Sequence, residues 1–216
     1  MNKYYIKVFI SFILIFLVLF GLRVEASLPL AGKLIILDSG HGGADPGTMY
    51  KEIYEKDINL KITLFLEEEL SKRGAGVLLI RDGDYDLSGG VKTHRKKTDF
   101  DNRIKLINNS EADMYLSIHL NYLTNSAYYG AQVFYNKDNE GIAKKIQEYM
   151  NGHLDTKREI KKIPTSTYMY DKLTTSGVLI ECGFLSNYKE RSLLVTEEYQ
   201  KKLAVVIADA IVNYYK

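Results

Sequence analysis

Cysteine is all but missing from this chain. Cys182 is the only one in 216 residues, which excludes an internal disulfide framework and any zinc site built from several thiolates. Proline is scarce as well, three in all, and no repeat or low-complexity tract interrupts a composition that is 46% hydrophobic and 26% charged. That is a globular chain of ordinary single-domain length. Charge of one sign is lacking too. The net charge is +2, and Lys3, Lys7 and Arg23 against Glu25 account for all of it. The chain from Ser27 onward is formally neutral, so its slightly basic balance points to no nucleic-acid partner. No apolar run is long: Val8 to Leu22 falls short of the about 20 residues that span a bilayer. With Lys3 and Lys7 before it and Val24-Glu25-Ala26 after it at signal-peptidase spacing, residues 1–26 read as a secretory signal, a retained membrane anchor being the alternative. Either way this segment engages a membrane during export, and the working domain, residues 27–216, is expected outside the cytoplasm.

What is present is a set of short apolar runs alternating with helical periodicities. Leu34–Leu37 is a buried strand that breaks into the glycine-rich turn Asp38-Ser39-Gly40-His41-Gly42-Gly43-Ala44-Asp45-Pro46-Gly47. Asp57–Arg73 carries Ile58, Ile62, Phe65, Leu66 and Leu70 on one helical face and stops at Gly74 and Gly76. Val77–Ile80 is a second strand, followed by a polar loop with the basic patch Lys92–Lys97. Thr98 or Asp99 is expected to cap a helix through Asn108, with Phe100, Ile104 and Ile107 inward. Met114–Ile118 is a strand ending at His119, and Gln132–Tyr135 is another. Ile142–Met150 is helical, Tyr168–Tyr170 a short strand, and Gly177–Ile180 a core strand ending at Glu181 in a tight Glu-Cys-Gly turn. Thr196 caps a closing amphipathic helix to Tyr215. The alternation predicts an α/β fold: one domain, a mostly parallel twisted sheet flanked by helices on both faces.

Three of these strands lead to a residue that can hold a metal or move a proton, namely His41, His119 and Glu181, while Glu55 stands at the entrance of the first helix. Two histidines, one carboxylate and a water form a catalytic zinc shell, in which the bound water's pKa drops to about 7 and a carbonyl is polarised. A further carboxylate must then take the water's proton and pass it to the leaving group, and Glu181 has that chemistry. Taken singly, each residue has a plainer reading. A histidine after a strand is most often a hydrogen-bonded turn residue, Glu55 a first-turn carboxylate favoured by the helix dipole, and Glu181 a buried ion-pair partner. His94 lies among lysines and arginines and reads as solvated loop, His153 as surface, and Cys182 as a packed small hydrophobe. The aspartate-rich set with closely spaced histidines that a polysaccharide deacetylase would need is not found.

Four segments in order carry a family resemblance: Leu37-Asp38-Ser39-Gly40-His41-Gly42-Gly43-Ala44-Asp45-Pro46-Gly47, Glu55-Lys56-Asp57 with Asn59-Leu60, Ser117-Ile118-His119-Leu120-Asn121, and Val178-Leu179-Ile180-Glu181-Cys182-Gly183-Phe184-Leu185-Ser186-Asn187. From about Lys33 to the C-terminus the chain resembles the zinc-dependent N-acetylmuramoyl-L-alanine amidases of the type 3 family. The resemblance implies Zn2+ held by His41, Glu55 and His119, with Glu181 as catalytic acid and base and peptidoglycan as substrate, its lactyl–L-alanine amide being the bond cut. Asn121 is placed to orient substrate. Tyr122 stands where the family has a small residue, and Tyr50–Tyr54 is polar and aromatic where a glycine is common. Neither departure removes a ligand. A signal followed by one catalytic domain, with no wall-binding repeat and no inserted plug helix, resembles the germination-specific spore-cortex amidases, which act on the way to muramic-δ-lactam. The alternative is a silent wall-binding protein that keeps the fold. A neutral surface gives no bulk attraction to an anionic wall, so an accessory or activating protein is expected. Tyr122, Tyr128, Tyr129, Tyr168 and Tyr170 offer it an interface, or else line the substrate groove.

Overall fold

The computed structural model describes residues 28–216, so the expected signal or anchor at 1–26 lies outside the described residues. Strands β1 (Leu34–Ser39), β4 (Gly76–Leu79), β5 (Met114–Asn121), β6 (Gln132–Tyr135), β7 (Lys161–Lys162) and β8 (Gly177–Phe184) form one sheet in the order β4-β1-β5-β8-β6-β7. All neighbours are parallel except β6, which runs antiparallel to β8. A separate two-residue hairpin pairs β2 (Met49–Tyr50) with β3 (Ile53–Tyr54).

The unbroken apolar runs of the central strands follow from helices covering both faces. Ile35, Leu37, Leu116, Ile118, Val178 and Ile180 point to one side, where they meet α1 (Glu55–Lys72), α3 (Glu140–His153) and α6 (Glu197–Tyr215). The alternate residues Ile36, Tyr115 and Leu179 point to the other, where they meet α2 (Arg95–Asn108) and α4 (Tyr168–Lys172). Towards the carboxyl ends of β1, β5 and β8 this second face turns polar. Asp38, Ser117, His119 and Glu181 continue the same alternation, and the register sets Asp38 beside Ser117 and His119 beside Glu181. A site therefore opens where α/β sheets place theirs, just beyond the strand ends.

The expected class and layering are met, and three local expectations are corrected. First, α2 begins at Arg95 behind a left-handed His94 (φ 57°), so neither Thr98 nor Asp99 caps it. The Asp99 carboxylate is spent elsewhere, accepting from Leu87 N at 2.7 Å and from Arg103 Nε at 3.1 Å. Second, Tyr168–Tyr170 is helical. Burial of Met169 and Tyr170 against the second core outweighs the strand preference of tyrosine. Third, β8 runs on through Cys182 to Phe184, so Glu181 lies inside a strand rather than in a turn. Thr196 does cap α6, its hydroxyl accepting from Tyr199 N. The short β2, β3, β7 and α5 (Tyr188–Leu194) had no counterpart in the sequence reading. Cys182 is fully buried and free, and burial pushes its thiol up, with the nearby Glu181 and Glu190 adding to the effect.

Candidate metal centre

His41 sits two residues past β1 in the left-handed region (φ 62°), a conformation that costs a non-glycine residue about 1 kcal/mol or more. It is held there by buried arginines. Arg103 NH2 donates to His41 O at 2.6 Å and NH1 to Ser39 O at 2.9 Å, while Arg81 Nε and NH2 donate to Ser39 O and Gly40 O. Two glycines make the close packing possible. A Cβ on Gly40 would lie 2.2 Å from the His119 ring, and one on Gly47 (φ 68°) would lie 2.6 Å from both Glu55 Oε2 and the His41 ring.

Glu55, the first residue of α1 and 2% exposed, is the hub. Its Oε1 lies 3.2 Å from His41 Nε2, 3.0 Å from His119 Nδ1 and 3.1 Å from the Leu120 N–H that donates to it. Its Oε2 accepts from Thr48 N and Oγ1 at 2.8 and 3.0 Å. The two imidazoles meet edge to face, 5.0 Å between centroids. His41 Nδ1 is turned away to Asp45 Oδ2 at 3.2 Å. One ligand atom from each of His41, Glu55 and His119 falls within 4.8 Å of the other two.

The electrostatics belong to a site built around positive charge. Burial opposes ionisation of Glu55, yet hydrogen bonds and charge from His119 and His41 hold its carboxyl well below the usual range. For His41, burial again opposes, and Asp45 with Glu55 raises it to about 9. Glu181 goes the other way. Its carboxyl is enclosed although the residue as a whole is partly exposed, and burial, reinforced by the charge of Glu55, lifts it to about 8. Its Oε2 has no hydrogen-bond partner. Two imidazole nitrogens and a carboxylate oxygen converging, with an orphaned carboxyl beside them, fit a divalent cation. The His2Glu donor set is that of catalytic zinc.

A cavity of about 140 Å³ lined by His41, Arg103, His119, Met169 and Tyr170 adjoins the centre. A larger groove of about 650 Å³, lined by Tyr129, Asn187, Tyr188 and Tyr199 among others, contains none of the clustered residues, so we assign the chemistry to the smaller one. A family model described as N-acetylmuramoyl-L-alanine amidase matches residues 35–213, which takes in every residue of the cluster. The chain belongs to this family. It is 42% identical over 196 residues to the germination-specific N-acetylmuramoyl-L-alanine amidase of Bacillus subtilis, covering 88% of this chain and 82% of that protein. Among solved structures it superposes on the CwlD amidase of Clostridioides difficile, determined in complex with the GerS lipoprotein, with a TM-score of 0.79 at 43% identity, covering 85% of this chain and 98% of that one. An N-acetylmuramoyl-L-alanine amidase of Clostridium difficile 630 matches with a TM-score of 0.74 at 29% identity, covering 84% and 96%.

Of the residues singled out by sequence, the amidase fold brings His41, Glu55 and His119 together and sets Glu181 beside His119 on the neighbouring strand. Asn121 ends β5 past a register shift, its carbonyl accepting from Leu185 N. Tyr122, Tyr128 and Tyr129 are exposed. Tyr170 is not: it is buried against the second core and reaches His119. Sequence reasoning gave no role to Asp38, Ser117 or Arg103 and only a helix cap to Asp99, yet the four form one buried network. The polar breaks in otherwise apolar strands, Asp38 and Ser117, were its only visible signal.

Proposed function

We infer that the protein is a peptidoglycan hydrolase that cleaves the amide between the lactyl group of N-acetylmuramic acid and the L-alanine of the stem peptide, acting in the spore cortex on the way to muramic-δ-lactam. The observation that carries the reading is the convergence of His41, Glu55 and His119 with Glu181 adjoining, in a chain of this family. A silent wall-binding protein would have no need of that set.

His41 Nε2, Glu55 and His119 Nδ1 would hold the metal, and we propose Zn2+ on the strength of the His2Glu set. Once bound, the ion would polarise the scissile carbonyl and acidify a water. The protein's own part is proton traffic and placement. Glu181, whose carboxyl burial and the charge of Glu55 raise above the usual range in the metal-free site, would in its ionised form accept the proton from the attacking water and return it to the leaving amine of L-alanine. Asn121, two residues beyond His119, would hydrogen-bond the substrate. A cortex substrate puts the domain outside the cytoplasm, with residues 1–26 as signal or anchor and 27–216 as the catalytic domain. Among the described residues no helix is long and apolar enough to cross a membrane. The complex of the Clostridioides difficile relative with a lipoprotein supports an accessory protein here, with exposed Tyr122, Tyr128 and Tyr129 as candidate contacts. The test is to incubate purified, zinc-loaded protein with cortex muropeptides and read the products by mass spectrometry. Glycan with a free lactyl carboxyl and peptide beginning at L-alanine are expected. Intact muropeptides at full zinc occupancy would refute the activity.

A further inference from the structure

Ligand histidines commonly give their second ring N–H to a carboxylate, carbonyl or water, which fixes tautomer and ring orientation. His41 does so through Asp45, 3.2 Å from its Nδ1. His119 has no carboxylate on its far side. Its Nε2 faces the hydroxyl of Tyr170 at 3.4 Å. That phenol lies 3.0 Å from Ser117 Oγ, and Ser117 Oγ donates to Asp38 Oδ2 at 2.6 Å. Arg103 closes the row, donating from NH1 to Asp38 Oδ1 at 2.6 Å and from Nε to Asp99. Asp38, Asp99, Arg103 and Ser117 are all at most 2% exposed.

The direction of this chain follows from counting protons. Asp38 is kept ionised: burial opposes, but Arg103 and Ser117 hold it below the usual carboxylate range. It can only accept, so the single proton of Ser117 is committed to it. The remaining lone pairs of Ser117 then accept from Tyr170. The phenol is neutral at ordinary pH, and its one proton has Ser117 Oγ, 3.0 Å away, to go to. With its proton given to Ser117, the Tyr170 oxygen faces Nε2 as an acceptor, and His119 must carry its proton there. In that tautomer the Nδ1 lone pair, on the side of Glu55 Oε1 at 3.0 Å, is what a cation held with Glu55 would take up; without one, Nδ1 and Glu55 share a proton.

We propose that Tyr170 is a positioning residue for the metal centre: through Ser117, Asp38 and Arg103 it receives the Nε2 proton of His119 and so turns the Nδ1 lone pair to the metal. Arg103 thereby serves both histidines, since it also donates to the carbonyl of His41. The carboxyl end of α4, in which Tyr170 lies, is tied down separately. Asn136 Nδ2 donates to Tyr170 O, and Lys137 Nζ donates to Leu173 O at 2.7 Å. The phenol therefore approaches His119 from a fixed support.

The proposal rests on the metal reading of the site, and its test separates the two. Zinc affinity is measured by chelator competition on wild type, Tyr170→Phe and Ser117→Ala, and the His119 Nε2–H signal is followed by nitrogen-15 NMR in the zinc-loaded proteins. The expectation is a 10- to 100-fold weaker affinity for Tyr170→Phe, with the Nε2–H signal shifted or lost to solvent exchange. Ser117→Ala, which takes away the acceptor of the phenol proton, should move both readouts in the same direction, and it carries the test should Tyr170→Phe fold poorly. A role confined to packing would leave the Nε2–H signal where it is. Unchanged affinity and an unchanged signal in both variants would overturn the role of Tyr170 while leaving the metal site standing. A wild type that takes up no zinc would overturn both.

Discussion

In the metal-free protein, the Glu181 carboxyl should make stability fall with pH, and Glu181→Gln should remove its share of the fall. Burial and the neighbouring Glu55 raise this group from the ordinary 4.5 of a glutamate to about 8. A folded-state value above the unfolded one means that the folded protein holds a proton which the unfolded chain releases. Stability is then complete below about 4.5, declines as pH rises, and levels off above about 8. At about 1.4 kcal/mol per pH unit, the carboxyl costs up to about 5 kcal/mol once ionised. Glutamine has the same shape and no such proton. His41, raised to about 9, adds its own decline in wild type and variant alike, and because its charge also acts on Glu181, the difference between them reports Glu181 together with that coupling. The assay is urea unfolding with a chelator present, from pH 4.5 to 9. The variant should gain on the wild type by several kcal/mol across that range, nearly all of it before pH 8.5. A difference that stays flat to within about 1 kcal/mol would show that Glu181 ionises freely in the folded protein, and with that the reasoning from burial would fall.

Three further outcomes follow from the same geometry. Arg103→Gln should cost about 3–5 kcal/mol in urea unfolding at neutral pH, since it leaves Asp38 and Asp99 buried without their partner; a loss under 1 kcal/mol would contradict the buried network. His119→Ala takes three protein ligands to two, so zinc content after dialysis should drop sharply, and full retention at unchanged affinity would sink the ligand assignment. Gly47→Ala puts a methyl group 2.6 Å from Glu55 and His41 at φ 68°; it should lower both the thermal midpoint and zinc affinity, and a variant indistinguishable from wild type in calorimetry would refute the packing reason for that glycine.

How much of this was legible beforehand depended on whether the signal was local. The central strands announced themselves as short apolar runs, and α1 and α6 as long amphipathic periods. The centre's four principal residues were legible because each stands beside such an element. Asp99 misled for a physical reason. As an acidic residue ahead of an apolar helical face it looks like a cap, but its carboxylate goes to Leu87 N and Arg103, partners that only the folded chain brings near. Tyr170 misled likewise, because a tyrosine in a polar stretch gives no sign that α4 will press it into the core beside His119. Hydrogen-bond rows that cross from β1 to β5 to α4 have no sequence period to betray them.

The lone thiol has a consequence for handling and for habitat. Cys182 lies on β8 with no exposed surface, next to the residue assigned to proton transfer, and its proton is held far more tightly than that of a free cysteine. Alkylating reagents attack thiolates, so labelling must wait until this inner strand parts from its neighbours, and its rate under native conditions reports how often the sheet opens. For the same reason oxidants and mixed disulfides find no thiol to react with while the chain is folded. The protein can work where the surroundings are oxidising without being cross-linked by them.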